Sequence, residues 1–408
     1  MKWVPFVKVF PCIKASHSAI FFNFGHSTND AKTLVKNSYK YRKNVNSEPH
    51  YLNAGLKFPD TDLPSGKIAW RSPSNIALVK YWGKKPAQVP QNPSISFTLS
   101  KSYSETKVSF SPADSGTLEM EFYFDGKRHL AFETKTVKFF KSLSGIFPFV
   151  NQLKFVIRSK NTFPHSAGIA SSASGMSVLA LVLCDMERQF FDMLQKEDNF
   201  RRKASYIARL GSGSASRSVY GGLVIWGEVE NVPGTSNYYG LPVNKGIHET
   251  FTDYQDTILL VDAGEKKVSS RVGHGLMDSN PFATERFIQA RSNMKMLIQA
   301  MRAGDTETFI RITESEALTL HAMMMTSQPY FLLMKPNTLQ IIDRIFAFRE
   351  KTGLPASFTL DAGPNVHLLY PKAIKGEVKR FIDNDLLPFL SPQGYIDDAV
   401  GKGPEKIL

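Results

Sequence analysis

From Lys67 onward, short β-branched and aromatic runs are broken by Pro and Gly, the pattern of strands; KIAWRSPSNIALVKYWG and NPSISFTLSKSYSETKVSFSP are the first two such stretches. LEMEFYFDGKRHLAF predicts a hairpin turning at Asp125-Gly126, and LKFVIRSKN another strand. The period then changes. In SSASGMSVLALVLCDMERQFF, Met176, Leu179, Leu183 and Met186 recur at helical spacing behind serines able to cap free amides. GLVIWGEVE is a strand, and the Gly/Pro/Asn-rich passage 231–246 separates two halves. The second half opens with the strand DTILLVDAG, followed by amphipathic helices over 284–303 and 306–324. NTLQIIDRIFAFREKTGLP predicts a helix capped by Asn337 or Thr338, with Leu339, Ile342, Ile345 and Phe346 on one face and Gly353 and Pro355 as its stop. ASFTLDAG and VHLLYP are strands joined by AGPN. Strands and helices mix without strict βαβ alternation, which predicts α+β domains.

At 408 residues, 42% hydrophobic and 21% charged, the chain has the composition of a globular protein of two or three domains. Its formal charge of +13 favours anionic partners without choosing among them. Cys12 and Cys184 are too few for a disulfide framework, which suits a reducing cytoplasm. No window has the run of about 18 apolar residues that a membrane span needs. Residues 1–28 carry Lys2, Lys8 and Lys14, no acid and many aromatics, with Pro5 and Pro11 interrupting any export-signal core. The expectation there is a disordered or non-native extension. Residues 29–66 read as an arm, so 1–66 is set apart from the globular part.

Four segments carry candidate chemistry. PHSAGIASSASG (164–175) puts small residues and two serines at the start of a strong helix, where amides and the positive helix end suit phosphate. An ordinary capped helix would look similar. GSGSASRSVYGG (211–222) offers Ser212, Ser214 and Ser216 with Arg217, whose planar fork can take two anionic oxygens at once. SPSNIALVKYWGKK (72–85) interleaves Lys80, Lys84 and Lys85 with Tyr81 and Trp82, so one or more ammonium groups should line a pocket. FTLDAGPNVHLLY places Asp361 where an apolar strand ends; alone such an aspartate is usually a turn former, and beside a lysine it is a base or orienter for a hydroxyl. Neither a P-loop nor a dinucleotide fingerprint is present.

Together SPSNIALVKYWGKK, PHSAGIASSASG, GSGSASRS, KKVSSRVG and TLDAGPNV resemble, in order and spacing, the mevalonate diphosphate decarboxylases of the GHMP kinase superfamily, over Lys67 to Tyr370. The resemblance implies a two-domain α+β fold, S5-like from 67 to 240 and ferredoxin-like from 241 to 408, with the active-site cleft between. It implies ATP- and Mg²⁺-dependent conversion of (R)-5-diphosphomevalonate to isopentenyl diphosphate, CO₂, ADP and phosphate through transient 3-phosphorylation. By this likeness Asp361, Lys80 and Arg217 would be catalytic, Arg217 also gripping substrate with Tyr81, Lys84, Ser212, Gly213, Ser214, Ser270 and Arg271. Gly168, Ala170, Ser171, Ser172 and Ala173 would carry the ATP phosphates; no metal ligand is assigned. A homodimer without nucleic-acid or membrane partners is implied as well. The chain departs from the family pattern at Lys85-Pro86, where Arg-Asp is usual, at Ile169, and at His165-Ser166.

The rival readings are a mevalonate-type 3-kinase, which the joint presence of Lys80 and Asp361 disfavours, and a generic small-molecule kinase of the superfamily, which leaves KYWGK unexplained. A basic nucleic-acid-binding protein would want clustered cations, and these are scattered.

Overall fold

A computed structural model describes residues 48–164, 169–262, 264 and 270–408. The expected extension 1–28 lies outside the described residues. Of the expected arm, 48–65 is described: Leu56 is buried with the first core cluster, and Tyr51 meets Tyr206 edge to face at 5.0 Å.

The chain begins its first sheet with β1 (Gly66–Val79), which pairs antiparallel with β2 (Ser94–Pro112). Proline has no N–H for the ladder, and the register slips between Pro73 and Asn75, as a proline inside a central strand requires. β3 (Glu119–Phe124) and β4 (Lys127–Arg128) form the expected hairpin, with Asp125 and Gly126 at φ of 47° and 79°. Helix α1 (Leu130–Ser142) follows, then β5 (Leu153–Asn161), which joins β2 to β3. Helices α2 (Ser171–Phe191) and α3 (Glu197–Gly211) pack with this sheet. β6 (Leu223–Trp226) pairs with β2 and with β7 (Gly240–Pro242). β6 stops where Gly227 adopts φ 103° against the Pro93 backbone, which a Cβ would approach to 2.6 Å.

The second sheet starts at β8 (Gln255–Leu259). Helices α4 (Ser270–Gly275), α5 (Ala283–Ala303), α6 (Thr306–Met325) and α7 (Pro336–Thr352) come next. Then follow β9 (Ser357–Leu360), β10 (Val366–Tyr370), helix α8 (Lys375–Phe381) and β11 (Tyr395–Ala399), giving the antiparallel order β11-β8-β10-β9. Finally β12 (Glu405–Lys406) returns to pair with β1 in the first sheet. The mixture is α+β, as expected.

Two details of local chemistry differ from expectation. Helix α7 starts at Pro336 with Lys335 as its cap, and Thr338 acts from inside the first turn by accepting the Lys335 amide at 3.1 Å. Gly353 ends that helix at φ 68°, as the stop signal implied. At α2 the serines cap nothing. Ala170, in the left-handed region at φ 45°, precedes the helix, and no side chain accepts from its first amides.

Candidate active site

One cavity of about 660 Å³ gathers residues from the far-apart segments that the sequence marked. Lys80, Tyr81 and Lys84 line it from the end of β1, Ala170, Ser171 and Ser172 from the start of α2, and Ser212, Gly213, Ser214 and Arg217 from the turn after α3. Asp361 reaches it from the end of β9. The free amides at the start of α2 are therefore beside the cavity, with the positive end of a 21-residue helix behind them. The two serine-rich segments touch there, Ser172 Oγ lying 3.4 Å from Ser212 Oγ.

The remaining expected residues fall elsewhere. Ala173 is fully buried in the first core cluster and does not line the cavity, because it lies on the inward face of the first turn of α2. Lys85 is exposed. Gly168 lies outside the described residues. Ser270 and Arg271 open α4, and their side chains also lie outside the described set.

Arg217 is 2% exposed and held rigidly by neutral partners. Its Nε donates to Ser96 Oγ at 2.9 Å and Asn75 Oδ1 at 3.3 Å, one terminal nitrogen to Ser94 Oγ at 2.9 Å, the other to Asn75 Oδ1 at 3.1 Å. Burial lowers its pKa to about 10, opposed chiefly by the Asp361 carboxylate. The register slip after Pro73 is what presents Asn75 to this guanidinium.

Lys80 is equally buried. Its Nζ donates to the Ala77 carbonyl at 2.6 Å, and burial pushes its pKa down to about 8 against the opposing charges of Asp361 and then Glu316. Two cations and one carboxylate thus share a poorly hydrated wall, where charge interactions are stronger than in water.

Tyr81, Trp82 and His274 form an aromatic flank. The imidazole lies 4.3 Å from the Tyr81 ring and 4.7 Å from the Trp82 ring. His274 Nδ1 accepts the Gly83 amide at 3.1 Å, so a neutral ring carries its proton on Nε2. Burial, aided by Lys84, lowers its pKa to about 3. Among the described residues the buried Tyr81 hydroxyl and Trp82 Nε1 have no hydrogen-bond partner. Donors left unmatched at a cavity wall suit an anionic ligand. Gly213 is required beside this flank, since a Cβ there would come within 2.6 Å of Trp226 and 3.0 Å of Tyr81.

The other end of the cavity is lined by Phe122, Phe124, Phe132, Lys135, Ser159 and Asn161. None of these was marked from the sequence, nor were Asn75, Ser94, Ser96 and His274. Asn75 carried a faint signal, a polar residue inside an apolar strand run; His274 followed the quoted KKVSSRVG directly.

The profile of the diphosphomevalonate decarboxylase-like N-terminal domain matches residues 72–238, and that of the mevalonate 5-diphosphate decarboxylase C-terminal domain matches 257–398. Diphosphomevalonate decarboxylase of Ganoderma lucidum is 31% identical over 333 residues, covering 76% of this chain and 80% of that protein. The chain belongs to the diphosphomevalonate decarboxylase family. Its fold follows that of solved members of this family: mevalonate diphosphate decarboxylase from Staphylococcus aureus superposes with a TM-score of 0.72 at 30% identity, covering 85% of this chain and 99% of that one. A complex of MDDEF with MVAPP, AMPPCP and magnesium gives a TM-score of 0.70 at 28% identity, over 84% and 99% of the two chains. The two-domain GHMP kinase-like architecture expected from the motifs is the architecture of these neighbours.

Proposed function

We propose that this chain is an ATP-dependent diphosphomevalonate decarboxylase: it converts (R)-5-diphosphomevalonate to isopentenyl diphosphate, CO₂, ADP and phosphate. The observation that carries this reading is the convergence of Lys80, Arg217 and Asp361 with two serine-rich turns on one cavity. Family membership and the MVAPP- and AMPPCP-bound relative support it.

In this reading the nucleotide triphosphate lies along the α2 start, on the free amides and the Ser171 and Ser172 hydroxyls, with adenine against the flat faces of Phe122, Phe124 and Phe132. The substrate diphosphate meets Tyr81, Lys84, Ser212 and Ser214, and the two unused N–H groups of Arg217 take a pair of substrate oxygens. Asp361 receives the proton of the 3-hydroxyl as its oxygen attacks the γ-phosphorus. The Lys80 ammonium keeps that carboxylate ionised and offsets charge as it moves. The C3–O bond then breaks with the phosphate as leaving group, and the C1–C2 bonding pair becomes the alkene as CO₂ departs.

Mg²⁺ prefers oxygen ligands and commonly stays with phosphates and water rather than in a protein cage. Among the described residues no group of three or more His, Cys, Asp or Glu is arranged to hold a metal ion, and Asp361 is the one carboxylate on the cavity wall. That wall fits an ion carried in by the nucleotide, with the Ser171 and Ser172 hydroxyls as the residues available to hold it; when bound it would neutralise phosphate charge.

The domains at 67–240 and 241–408, cytoplasmic placement and a homodimer belong to the same proposal. Apart from β12, which crosses back to the first sheet, each half builds its own sheet and so supports the first, and the free buried Cys184 supports a reducing compartment. No helix among the described residues is long and apolar enough to cross a membrane. Exposed Phe282, Ile288, Met325, Tyr330 and Leu332 offer apolar surface to a second copy.

The test is incubation of the purified protein with ATP, Mg²⁺ and mevalonate, its monophosphate or its diphosphate, scoring CO₂, phosphate and ADP separately. Equal release of all three with the diphosphate is expected. ADP formation without CO₂ or phosphate would instead mark a 3-kinase, and the absence of all three would reject the reading.

A further inference from the structure

Lys80 and Asp361 each follow the last residue of a strand, and those strands belong to different sheets. Among the described residues no backbone hydrogen bond joins the two segments. Helix α6 reaches both from behind. Glu316 Oε2 accepts the Lys80 backbone N–H at 2.8 Å, and five residues along the helix His321 Nε2 meets the Asp361 carbonyl oxygen at 3.1 Å. A carbonyl can only accept, so the ring donates from Nε2.

Both side chains are buried, Glu316 at 0% and His321 at 1% exposure. The Glu316 charge is matched by Arg286, whose NH1 donates to Oε1 at 2.8 Å, and Asn293 Nδ2 donates to the same oxygen at 2.7 Å. Its hold on Lys80 is therefore through the backbone, and the Lys80 ammonium remains available to Asp361. Burial keeps His321 neutral, lowering its pKa to about 4.

We infer that α6 is a spacer: Glu316 and His321 are positioning residues that fix the separation of Lys80 and Asp361, with about 7.5 Å of helix between the two attachment points. This rests on the functional reading above. An α-helix is stiff along its axis, so two strand ends hung from one turn and a half of it keep their spacing when the cavity fills. Neighbouring Leu320 faces the cavity, which places the spacer directly behind its wall.

The test compares His321→Phe, which removes the donor at similar volume, with His321→Gln, which keeps one. With diphosphomevalonate, ATP and Mg²⁺, the phenylalanine variant should lose about 10- to 100-fold in kcat while KM stays within about twofold, the penalty of a displacement near 1 Å. Glutamine should recover most of it. Should the phenylalanine variant misfold, His321→Asn, too short to reach, replaces it. Independently of turnover, NMR of ¹⁵N-labelled lysine side chains should show the Lys80 pKa falling in His321→Phe, because the supporting Asp361 charge has moved. In an Asp361→Asn background the same substitution should leave the Lys80 pKa unchanged.

Wild-type kcat in His321→Phe, a rise in KM alone, an unmoved Lys80 titration, or an equal shift in the Asp361→Asn background would each overturn the spacer. Failure of the wild-type protein to release CO₂ would reject the functional reading instead, and the Lys80 titration would still decide the spacer.

Discussion

Replacing Arg217 by lysine isolates geometry from charge. The guanidinium has five N–H groups, and three are committed: Nε to Ser96 and Asn75, one terminal proton to Ser94, another to Asn75. Two remain, one on each terminal nitrogen of a residue that lines the cavity, and in the proposed mechanism they serve as the fork for substrate oxygens. A lysine ammonium has three donors. If it keeps Ser94 and Ser96 satisfied, it has one left for the ligand, so the change removes one of two charge-assisted bonds. Such a bond contributes about 1.5–3 kcal/mol. At about 1.4 kcal/mol per decade this predicts a fall of about 10- to 150-fold in kcat/KM. Steady-state CO₂ release measures it, with a thermal melt to confirm that the buried cation is still accommodated. A folded Arg217→Lys protein within about threefold of wild type would show that the fork grips nothing during turnover.

Asp361→Asn keeps the shape and removes the base. Turnover should fall below detection while equilibrium binding of ATP changes little, and a variant with wild-type kcat would remove Asp361 from the mechanism. The Lys80 ammonium is present below its pKa of about 8 and lost above it, so kcat/KM, which reports the free enzyme, should decline as pH rises through about 8. A profile flat to pH 10 would contradict this. His274 and His321, with pKa values of about 3 and about 4, stay neutral in the fold while the unfolded chain protonates near 6.5. Stability contributed by both is present above 6.5 and lost as pH falls; between pH 7 and 5 each should cost about 2 kcal/mol, about 4 kcal/mol together. Urea midpoints at the two pH values test this, and His274→Gln should show a smaller drop by about half; an undiminished drop would place the acid sensitivity elsewhere.

Much of the site was legible because its residue types are improbable where they occur. A lysine in an apolar strand, an arginine in a glycine-rich turn and an aspartate ending a buried strand each need a reason, and their order matched one family. Ala173 does not line the cavity, and a serine-rich segment does not reveal which of its residues faces inward; the helical phase set by Ala170 turns that methyl into the core. The serines are also expected to cap α2, yet behind the left-handed residue that precedes it no side chain caps the first turn, and the Ala173 amide turns back to the Ala170 carbonyl at 2.7 Å. His274 and the phenylalanines of the far end carried no local signal, since aromatics in strands and short helices are ordinary core residues.

The strands and helices, the α+β mixture and the anion-seeking segments follow from local pattern and residue chemistry, which act over a few neighbours and so can be read along the chain; the pairing of Asp361 with Lys80 came only from the family resemblance. The spacing of Lys80 and Asp361, the three neutral partners that aim Arg217, the partnerless Tyr81 and Trp82 donors, and the hold of α6 on two strand ends were decided by tertiary packing. Several of those features join residues far apart in the chain, 121 positions for Ser96 with Arg217 and 236 for Lys80 with Glu316, while His321 and Asp361 are 40 apart. Such contacts exist only once burial has brought distant segments together.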